Sequence, residues 1–215
     1  MTTDHQLWPL FDLVLKTPRI ELRYATDDLL ETLAVAATDV IAPGTQPFDG
    51  DATFYDPTPA GRRRWISGQW AARAKTSPSW WVLVFAVMVD GEAVGTQEMT
   101  ASEFARLQTV GTFSWLTRSY QGRGIGREMR ESILHLAFAG LGAERATSEA
   151  FEDNVASNAV SRAVGYEPNG IEWTLRQGHP APMARFVMTR ERWSELKRGD
   201  IAIEGLEPCL PLLGL

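Results

Sequence analysis

The sequence predicts an α/β (α+β) domain built on one mixed sheet, and two kinds of strand connection predict it. Asp90-Gly91 separates two strand-like runs and is a strong hairpin signal, which requires antiparallel neighbours. Between residues 109 and 151, two strand-like runs flank a long helical pattern, as in a strand–helix–strand crossover. Hairpins together with crossovers indicate a mixed sheet flanked by helices.

The N-terminal third contains an arm, a strand and two helices. Residues 1–16 are predicted to be an irregular apolar arm that packs on the body. Apolar and charged residues alternate over 20–24, which is typical of a half-buried strand. Helical spacing of apolar residues follows over 29–37. After a proline-rich loop over 43–59, a second helix is expected around residues 65–73.

The middle of the chain carries the clearest strand signals. Residues 80–89 contain no charge and predict a strand buried on both faces. The chain returns as a strand over 93–100, and a further strand is expected over 109–117. A helix with an apolar stripe that includes Met129, Ile133 and Leu136 begins near residue 126.

The C-terminal part continues the alternation of strands and helices. We expect strands over 145–151, 171–176 and 183–190, with helices over 155–164 and 191–197. Residues 199–215 form an apolar tail that packs either on its own domain or on a second copy. The tail is the reason for expecting a homodimer.

Composition excludes several classes of function. A chain of 215 residues with 44% apolar residues can bury a core in one domain. The formal charge of −6 argues against nucleic-acid binding, and no apolar run is long enough to span a membrane. Polar and proline residues interrupt any signal-peptide core, and the single cysteine, Cys209, excludes a multi-thiolate metal site. We therefore expect a cytoplasmic protein without a metal.

A glycine-rich turn, Gln121-Gly122-Arg123-Gly124-Ile125-Gly126, lies between a predicted strand and a predicted helix. Glycines allow positive φ and a close approach of the backbone to a ligand. The amides of such a turn and of the first helical turn form an anion site suited to a phosphate or pyrophosphate. Arg123 and Arg127 would add positive charge.

Two familiar phosphate motifs do not match this turn. A dinucleotide fingerprint needs a sixth-position glycine where this chain has Arg127, and a P-loop needs a terminal Gly-Lys-Ser/Thr. A simple connecting turn and a nucleotide-binding enzyme stay open as alternatives at this point.

Three segments carry a family resemblance. The spacing Gln121-x-x-Gly124-x-Gly126 is followed by Asn154-x-x-Ser157 and then by Gly165-Tyr166, and the segment from Thr17 to Arg23 reads Thr-Pro-Arg-Ile-Glu-Leu-Arg. Together they resemble the GNAT N-acetyltransferase superfamily, in particular its ribosomal-protein N-terminal acetyltransferase (RimJ/RimL-like) branch. The resemblance covers about residues 17–190, and we expect one acyltransferase domain over 17–198.

The resemblance implies a mostly antiparallel sheet whose parallel fourth and fifth strands, here 109–117 and 145–151, splay apart to admit acyl-CoA. The pantetheine would lie along the fourth strand, and the pyrophosphate would sit on the amides of the turn. The residues implied in CoA binding are Trp115, Leu116, Thr117, Gln121, Gly122, Arg123, Gly124, Ile125, Gly126, Arg127, Asn154 and Asn158.

The resemblance also implies catalytic residues. Asn154 matches an asparagine near the pantetheine and the acceptor, and Ser157 matches a serine that assists the leaving thiolate. Many relatives use a tyrosine as the acid at the position that is Ser161 here, a departure that favours Ser157. We take Glu98 as the general base, with Glu149, Glu103 or a water chain as alternatives.

The expected function is transfer of an acetyl or succinyl group from acetyl-CoA or succinyl-CoA to a primary amine. The acceptor could be a protein N-terminus, a lysine or a small amine, and an acidic chain would attract such cations. A CoA-binding sensor or scaffold without catalysis is the alternative.

Overall fold

A computed structural model describes residues 5–42, 44–46, 48 and 56–215 of the chain. Within them one sheet of nine strands runs in the order β7-β8-β6-β5-β4-β3-β2-β1-β9. The strands are β1 (Val14–Lys16), β2 (Glu21–Tyr24), β3 (Trp80–Val89), β4 (Glu92–Ser102), β5 (Thr109–Leu116), β6 (Arg145–Phe151), β7 (Glu167–Arg176), β8 (His179–Thr189) and β9 (Ala202–Glu204).

Helices cover the sheet on both faces. They are α1 (Asp27–Ala36), α2 (Pro59–Ala74), α3 (Phe104–Leu107), α4 (Ile125–His135), α5 (Val155–Val164), α6 (Arg190–Leu196) and α7 (Leu210–Leu213). A π-helical turn, Leu136–Gly140, extends α4. The predicted loop over 43–59 falls partly outside the described residues.

The β3–β4 hairpin confirms the strongest strand prediction. The uncharged run of β3 is buried along most of its length and pairs with β4 in antiparallel register. Asp90 and Gly91 turn the chain with φ values of 50° and 84°. Positive φ at both central residues suits the twist of the two strands.

The pairing of β5 with β6 positions the site. Among the described strands, this is the parallel pair of an otherwise antiparallel sheet. Its ladder runs from Thr109 and Arg145 to Thr112 and Ser148, whereas β5 continues to Leu116 and β6 to Phe151. The two strands therefore separate beyond Thr112, which confirms the predicted mixed sheet with a splayed parallel pair.

Both chain-end segments enter the sheet, which differs from the irregular arm expected over residues 1–16. Strand β1 pairs with β2 on one side and with β9 on the other. Leu10, Leu13 and Leu15 of the arm are buried in the main core, whereas Leu7 is exposed. Strands of three residues are too short to show a period of two, so the sequence pattern does not reveal them.

The tail packs on its own domain. Leu213 and Cys209 are buried in the main core, and Leu206 and Leu210 pack against that core. The Cys209 thiol donates a hydrogen bond to the carbonyl oxygen of Gly205 at 3.1 Å, and burial raises its pKa to about 11.

Two cores lie on opposite faces of the sheet. The larger core joins α4 to one face, and the smaller core joins α1 and α2 to the other. Neighbouring residues of β5 divide between them, because successive side chains of a strand point to opposite faces. Leu116 belongs to the α4 face, and Trp115 packs edge-to-face on Trp65 of α2 with ring centroids 6.4 Å apart. No helix in the described part of the chain is long and apolar enough to cross a membrane.

Candidate active site

The space between the diverging ends of β5 and β6 forms a cleft with a volume of about 440 Å³. Its wall combines the end of β5, the glycine-rich turn, the first turns of α4 and α5, and the end of β6. Because the strands separate there, the β5 edge that faces the cleft offers backbone groups that its own ladder with β6 does not use. A long, partly polar ligand can therefore lie along that edge.

The glycine-rich turn forms the mouth of the cleft. Gly122 and Gly124 adopt φ values of 72° and 81°, which is the left-handed region that favours glycine. Gly124 is also the N-cap residue of α4 and supplies no side-chain cap. The helices α1, α2, α5 and α6 are capped by side chains, namely those of Thr26, Thr58, Asn154 and Thr189. The first-turn amides of α4 thus face the cleft mouth without such a cap, as an anion site requires.

Gln121 holds the turn from one side. Its Nε2 atom donates to the carbonyl oxygens of Leu116 and Val40, both at 2.8 Å. The side chain therefore joins the turn to the end of β5 and to the segment after α1. Although Gln121 lines the cleft, its Nε2 hydrogen bonds go to backbone carbonyl groups of the surrounding wall.

The Thr17-x-Arg19 segment braces the turn from behind. The Nη2 atom of Arg19 donates to the carbonyl oxygen of Arg123 at 2.9 Å. Glu128, only 4% exposed in the first turns of α4, accepts a hydrogen bond from Thr17 at 2.6 Å and pairs with Arg19 at 3.3 Å. The motif near the N-terminus thus fixes the geometry of a loop 104 residues later, a role that the sequence pattern alone did not reveal.

The two arginines expected to bind phosphate already have partners. Arg123 stacks on the ring of Tyr120 at 5.1 Å, and Arg127 pairs with Glu131 at 2.7 Å. The backbone amides of the mouth are therefore the groups that remain available to an anion.

The structure brings most of the predicted binding residues together. The cleft wall includes Trp115, Leu116, Gln121, Gly122, Gly124, Gly126, Arg127, Asn154 and Ser157. Thr117, Arg123, Ile125, Asn158 and Glu98 lie outside that wall. Thr117 donates its backbone N–H to Val94, and Ile125 is buried in the core.

The asparagines of α5 hold the start of that helix. Asn154 accepts a hydrogen bond from the backbone N–H of Ser157 at 3.1 Å, which is an N-cap. Asn158 donates to the carbonyl oxygens of Phe151 and Glu152 at 3.0 and 3.2 Å. These bonds place Ser157 in the cleft wall beside the end of β6.

Comparison with known proteins identifies the architecture. Residues 19–167 match the acetyltransferase (GNAT) domain family, which is more than half of the chain. The chain belongs to the GNAT acetyltransferase family. The resemblance seen in the sequence is thereby confirmed.

Solved structures of GNAT proteins share the fold. RimJ of Mycobacterium smegmatis, solved with a CoA disulfide, is 19% identical over 94% of this chain and 95% of that one, with a TM-score of 0.69. RimL, a ribosomal L7/L12 α-N-protein acetyltransferase solved with coenzyme A, is 20% identical over 82% and 97%, with a TM-score of 0.68. A ribosomal-protein-S5-alanine acetyltransferase from Vibrio fischeri is 16% identical over 84% and 98%, with a TM-score of 0.64.

The tyrosine acid expected in many GNAT enzymes has no counterpart among the described residues of the cleft wall. Ser161, which stands at that position, is buried on the inner side of α5. Tyr166 is also buried, its hydroxyl lies 3.4 Å from that of Thr112, and burial raises the pKa of Tyr166. Tyr166 therefore has a structural role.

Among the described residues, Glu149 is the carboxylate that the structure places in the cleft wall. On β6 it follows Ser148, whose side chain points to α4, so Glu149 points to the α1–α2 face. Glu98 pairs with Phe113 across β4 and β5 and shares a sheet face with it, but lies outside the wall. The signal that could have favoured Glu149 from the sequence is its place near the end of the predicted fifth strand, which borders the cleft, whereas β5 separates Glu98 on β4 from it.

Arg130 closes the deep end of the cleft and was not predicted. It is 3% exposed, and it donates to Ser148 at 2.8 Å and to Ser114 at 3.0 Å. It therefore bridges β6 and β5 where they diverge. In the sequence it stands between Met129 and Ile133 inside the apolar stripe of α4, which was the available signal.

Arg176 ties the segment after α1 to the α5 side of the cleft. It is 4% exposed, pairs with Asp153 at 2.9 Å and lies over the rings of Phe151 at 4.4 Å and Phe48 at 5.9 Å. Its Nη2 atom also donates to the carbonyl oxygen of Gln46 at 3.3 Å. Phe48 thereby becomes part of the cleft wall.

Proposed function

We propose that this protein is an acyl-CoA-dependent N-acyltransferase that moves an acetyl or succinyl group to a primary amine. The observation that carries the proposal is the cleft between β5 and β6, which leads to the uncapped, glycine-rich start of α4. Membership of the GNAT family supports the same activity.

The residues present fit CoA. Amides from Gly122 to Arg127 would bind the pyrophosphate, and positive φ at Gly122 and Gly124 orients them. The pantetheine amides would bond to the free edge of β5 beside Trp115 and Leu116. CoA supplies the activated thioester.

The chain's own groups account for the proton transfers. The nitrogen of a neutral amine attacks the thioester carbonyl carbon, a C–N bond forms, and the C–S bond breaks to release the thiolate. Glu149 accepts the proton that the amine loses, directly or through water. The hydroxyl of Ser157 stabilises the thiolate by a hydrogen bond, and a thiol of ordinary pKa needs no stronger acid.

The acceptor approaches from the α1–α2 face, where Glu149 and Trp115 lie. We infer a cationic acceptor, because the net charge of −6 attracts cations over a long range. RimL acts on a ribosomal protein, so protein N-termini stand first among the candidates, with lysine side chains and small amines next. A cytoplasmic location and a homodimer stay predictions. Analytical ultracentrifugation tests the oligomeric state.

A thiol-release assay tests the proposal. Acetyl-CoA and succinyl-CoA are each incubated with the protein and with N-terminal peptides, lysine peptides and small amines. We expect amine-dependent release of free CoA, with the acylated amine detected by mass spectrometry. Tight CoA binding without turnover on any amine would support the sensor alternative, and stabilisation by ATP but not by CoA would support the nucleotide alternative.

A further inference from the structure

The guanidinium of Arg130 is a buried cation without a carboxylate partner in the described part of the chain. The guanidinium donates hydrogen bonds to the hydroxyls of Ser148 and Ser114, and the Tyr166 hydroxyl lies beside it. Its Nε atom, also buried, has no hydrogen-bond partner among the described residues. An uncompensated buried charge is unfavourable unless something supplies the opposite charge. Because Arg130 belongs to the cleft wall, a ligand in the cleft can supply it.

The neighbouring acids do not serve this role. On α4 itself, Glu128 is bound by Thr17 and Arg19, and Glu131 pairs with Arg127. Glu149 follows Ser148 on β6 and points to the opposite face of the sheet. Among the described residues, the polar partners of the guanidinium are the neutral hydroxyls of Ser148, Ser114 and Tyr166.

The position of Arg130 corresponds to the acyl end of a bound thioester. It lies five residues beyond the start of α4 at Ile125, about 7.5 Å further along the helix axis from the pyrophosphate site. It bridges Ser148, the last residue of β6 that pairs with β5, to Ser114, which lies beyond the last residue of β5 that pairs with β6. A chain that enters at the glycine-rich turn and follows the edge of β5 therefore presents its far end to Arg130.

We propose that Arg130, with the hydroxyls of Ser114 and Ser148, binds a terminal carboxylate on the acyl group, so that the preferred donor is a dicarboxylic acyl-CoA such as succinyl-CoA. The inference rests on the proposed function and specifies its donor. A guanidinium flanked by hydroxyls complements a carboxylate by paired, charge-assisted hydrogen bonds. The methyl group of an acetyl donor would leave the cation uncompensated.

Binding measured without any amine acceptor tests this inference independently of turnover. The full chain is titrated by calorimetry with CoA, acetyl-CoA and succinyl-CoA. We expect succinyl-CoA to bind at least tenfold more tightly than acetyl-CoA. Equal affinities for the two thioesters would overturn the inference while leaving the proposed acyltransferase intact, whereas no binding of any of the three would remove both.

Variants separate carboxylate recognition from a bracing role. In Arg130→Met we expect the preference for succinyl-CoA to disappear, while the affinities for CoA and acetyl-CoA stay within threefold of the original. Arg145→Met is the matched control, because Arg145 also joins β6 to β5, through Thr109 at 3.2 Å, but at the end away from the cleft. That variant should keep the preference.

A stability measurement completes the test. Replacing an uncompensated buried cation by an apolar side chain should leave the thermal midpoint of the ligand-free protein unchanged or raise it. A lower midpoint together with an equal loss of affinity for all three compounds would show that Arg130 only braces the strands. An equal loss for both thioesters but not for CoA would assign Arg130 to the thioester carbonyl and also overturn the inference.

Discussion

At the scale of single residues, the two faces of the sheet separate two chemical tasks. Arg130 and its serines lie on the α4 face, where the thioester would end, and Glu149 lies on the α1–α2 face, where the amine would arrive. Because Glu149 and Arg130 lie on opposite faces of the sheet, they do not form an ion pair with each other. The sequence pointed to carboxylates near the cleft, but only the register of β6 distinguishes Glu149 from Glu98 as a member of the wall.

The role of Glu149 is tested by Glu149→Gln. We expect the turnover number to fall about 100-fold, as is usual when a general base is removed, with little change in CoA affinity. Thiol release at saturating donor measures it. Glu152→Gln is the control, because it makes the same change at an exposed glutamate three residues further along the chain. A larger loss in Glu98→Gln than in Glu149→Gln would return the role to Glu98.

The glycine-rich turn is tested by Gly124→Val. A branched side chain at φ 81° costs about 1–2 kcal/mol of backbone strain and displaces the amides that would bind pyrophosphate. We expect CoA affinity, measured by calorimetry, to fall at least tenfold. Gly178→Val carries the same strain at φ 83° in the β7–β8 turn and should leave CoA affinity unchanged. Equal CoA affinities of the two variants would contradict the assignment of the turn as the pyrophosphate site.

At the scale of elements, local signals predicted long elements and missed short ones. The β3–β4 hairpin and α4 follow from an uncharged run, a turn dipeptide and an apolar stripe, which are all properties of neighbouring residues. Strands β1 and β9 have three residues each and exist because β2 and β1 offer them an edge. Arg130 was missed for a related reason, since the serines that accept its hydrogen bonds belong to two other elements.

Asn154 caps α5 and lines the cleft, and it is also predicted to act near the pantetheine and the acceptor. Asn154→Ala should lower the free energy of unfolding by about 1 kcal/mol and also slow turnover. Asn154→Asp keeps the cap, so we expect urea denaturation to show restored stability while thiol release stays slow, because the amide N–H donors are gone. Full turnover in Asn154→Asp would show that this residue acts only as the cap of α5.

At the scale of the whole molecule, the two ends of the chain complete the sheet and the core. Strand β9 pairs with β1, and the tail beyond it packs under the same core as α4. Because α4 carries both the mouth and the deep end of the cleft, packing of the tail supports the site from a distance. The sequence indicated that the apolar side chains of the tail must be buried, but not which surface buries them.

Leu213→Ala tests the contribution of the tail. This side chain is fully buried, so its truncation should lower the free energy of unfolding by about 2–4 kcal/mol. Urea denaturation followed by tryptophan fluorescence measures the change. Leu215→Ala, at a half-exposed neighbour, should change it by less than about 0.5 kcal/mol. A similar small effect in Leu213→Ala would mean that the tail does not support the core.

The burial of Cys209 has a practical consequence for enzymology. With its only cysteine enclosed and its thiol pKa near 11, the folded chain presents no reactive sulfhydryl to an aromatic disulfide reagent. Colour that develops in such a reaction therefore counts molecules of CoA released, one for each turnover, with no background from the enzyme. One additional equivalent per chain would appear only on unfolding, so the same reagent also reports how much of a preparation is native.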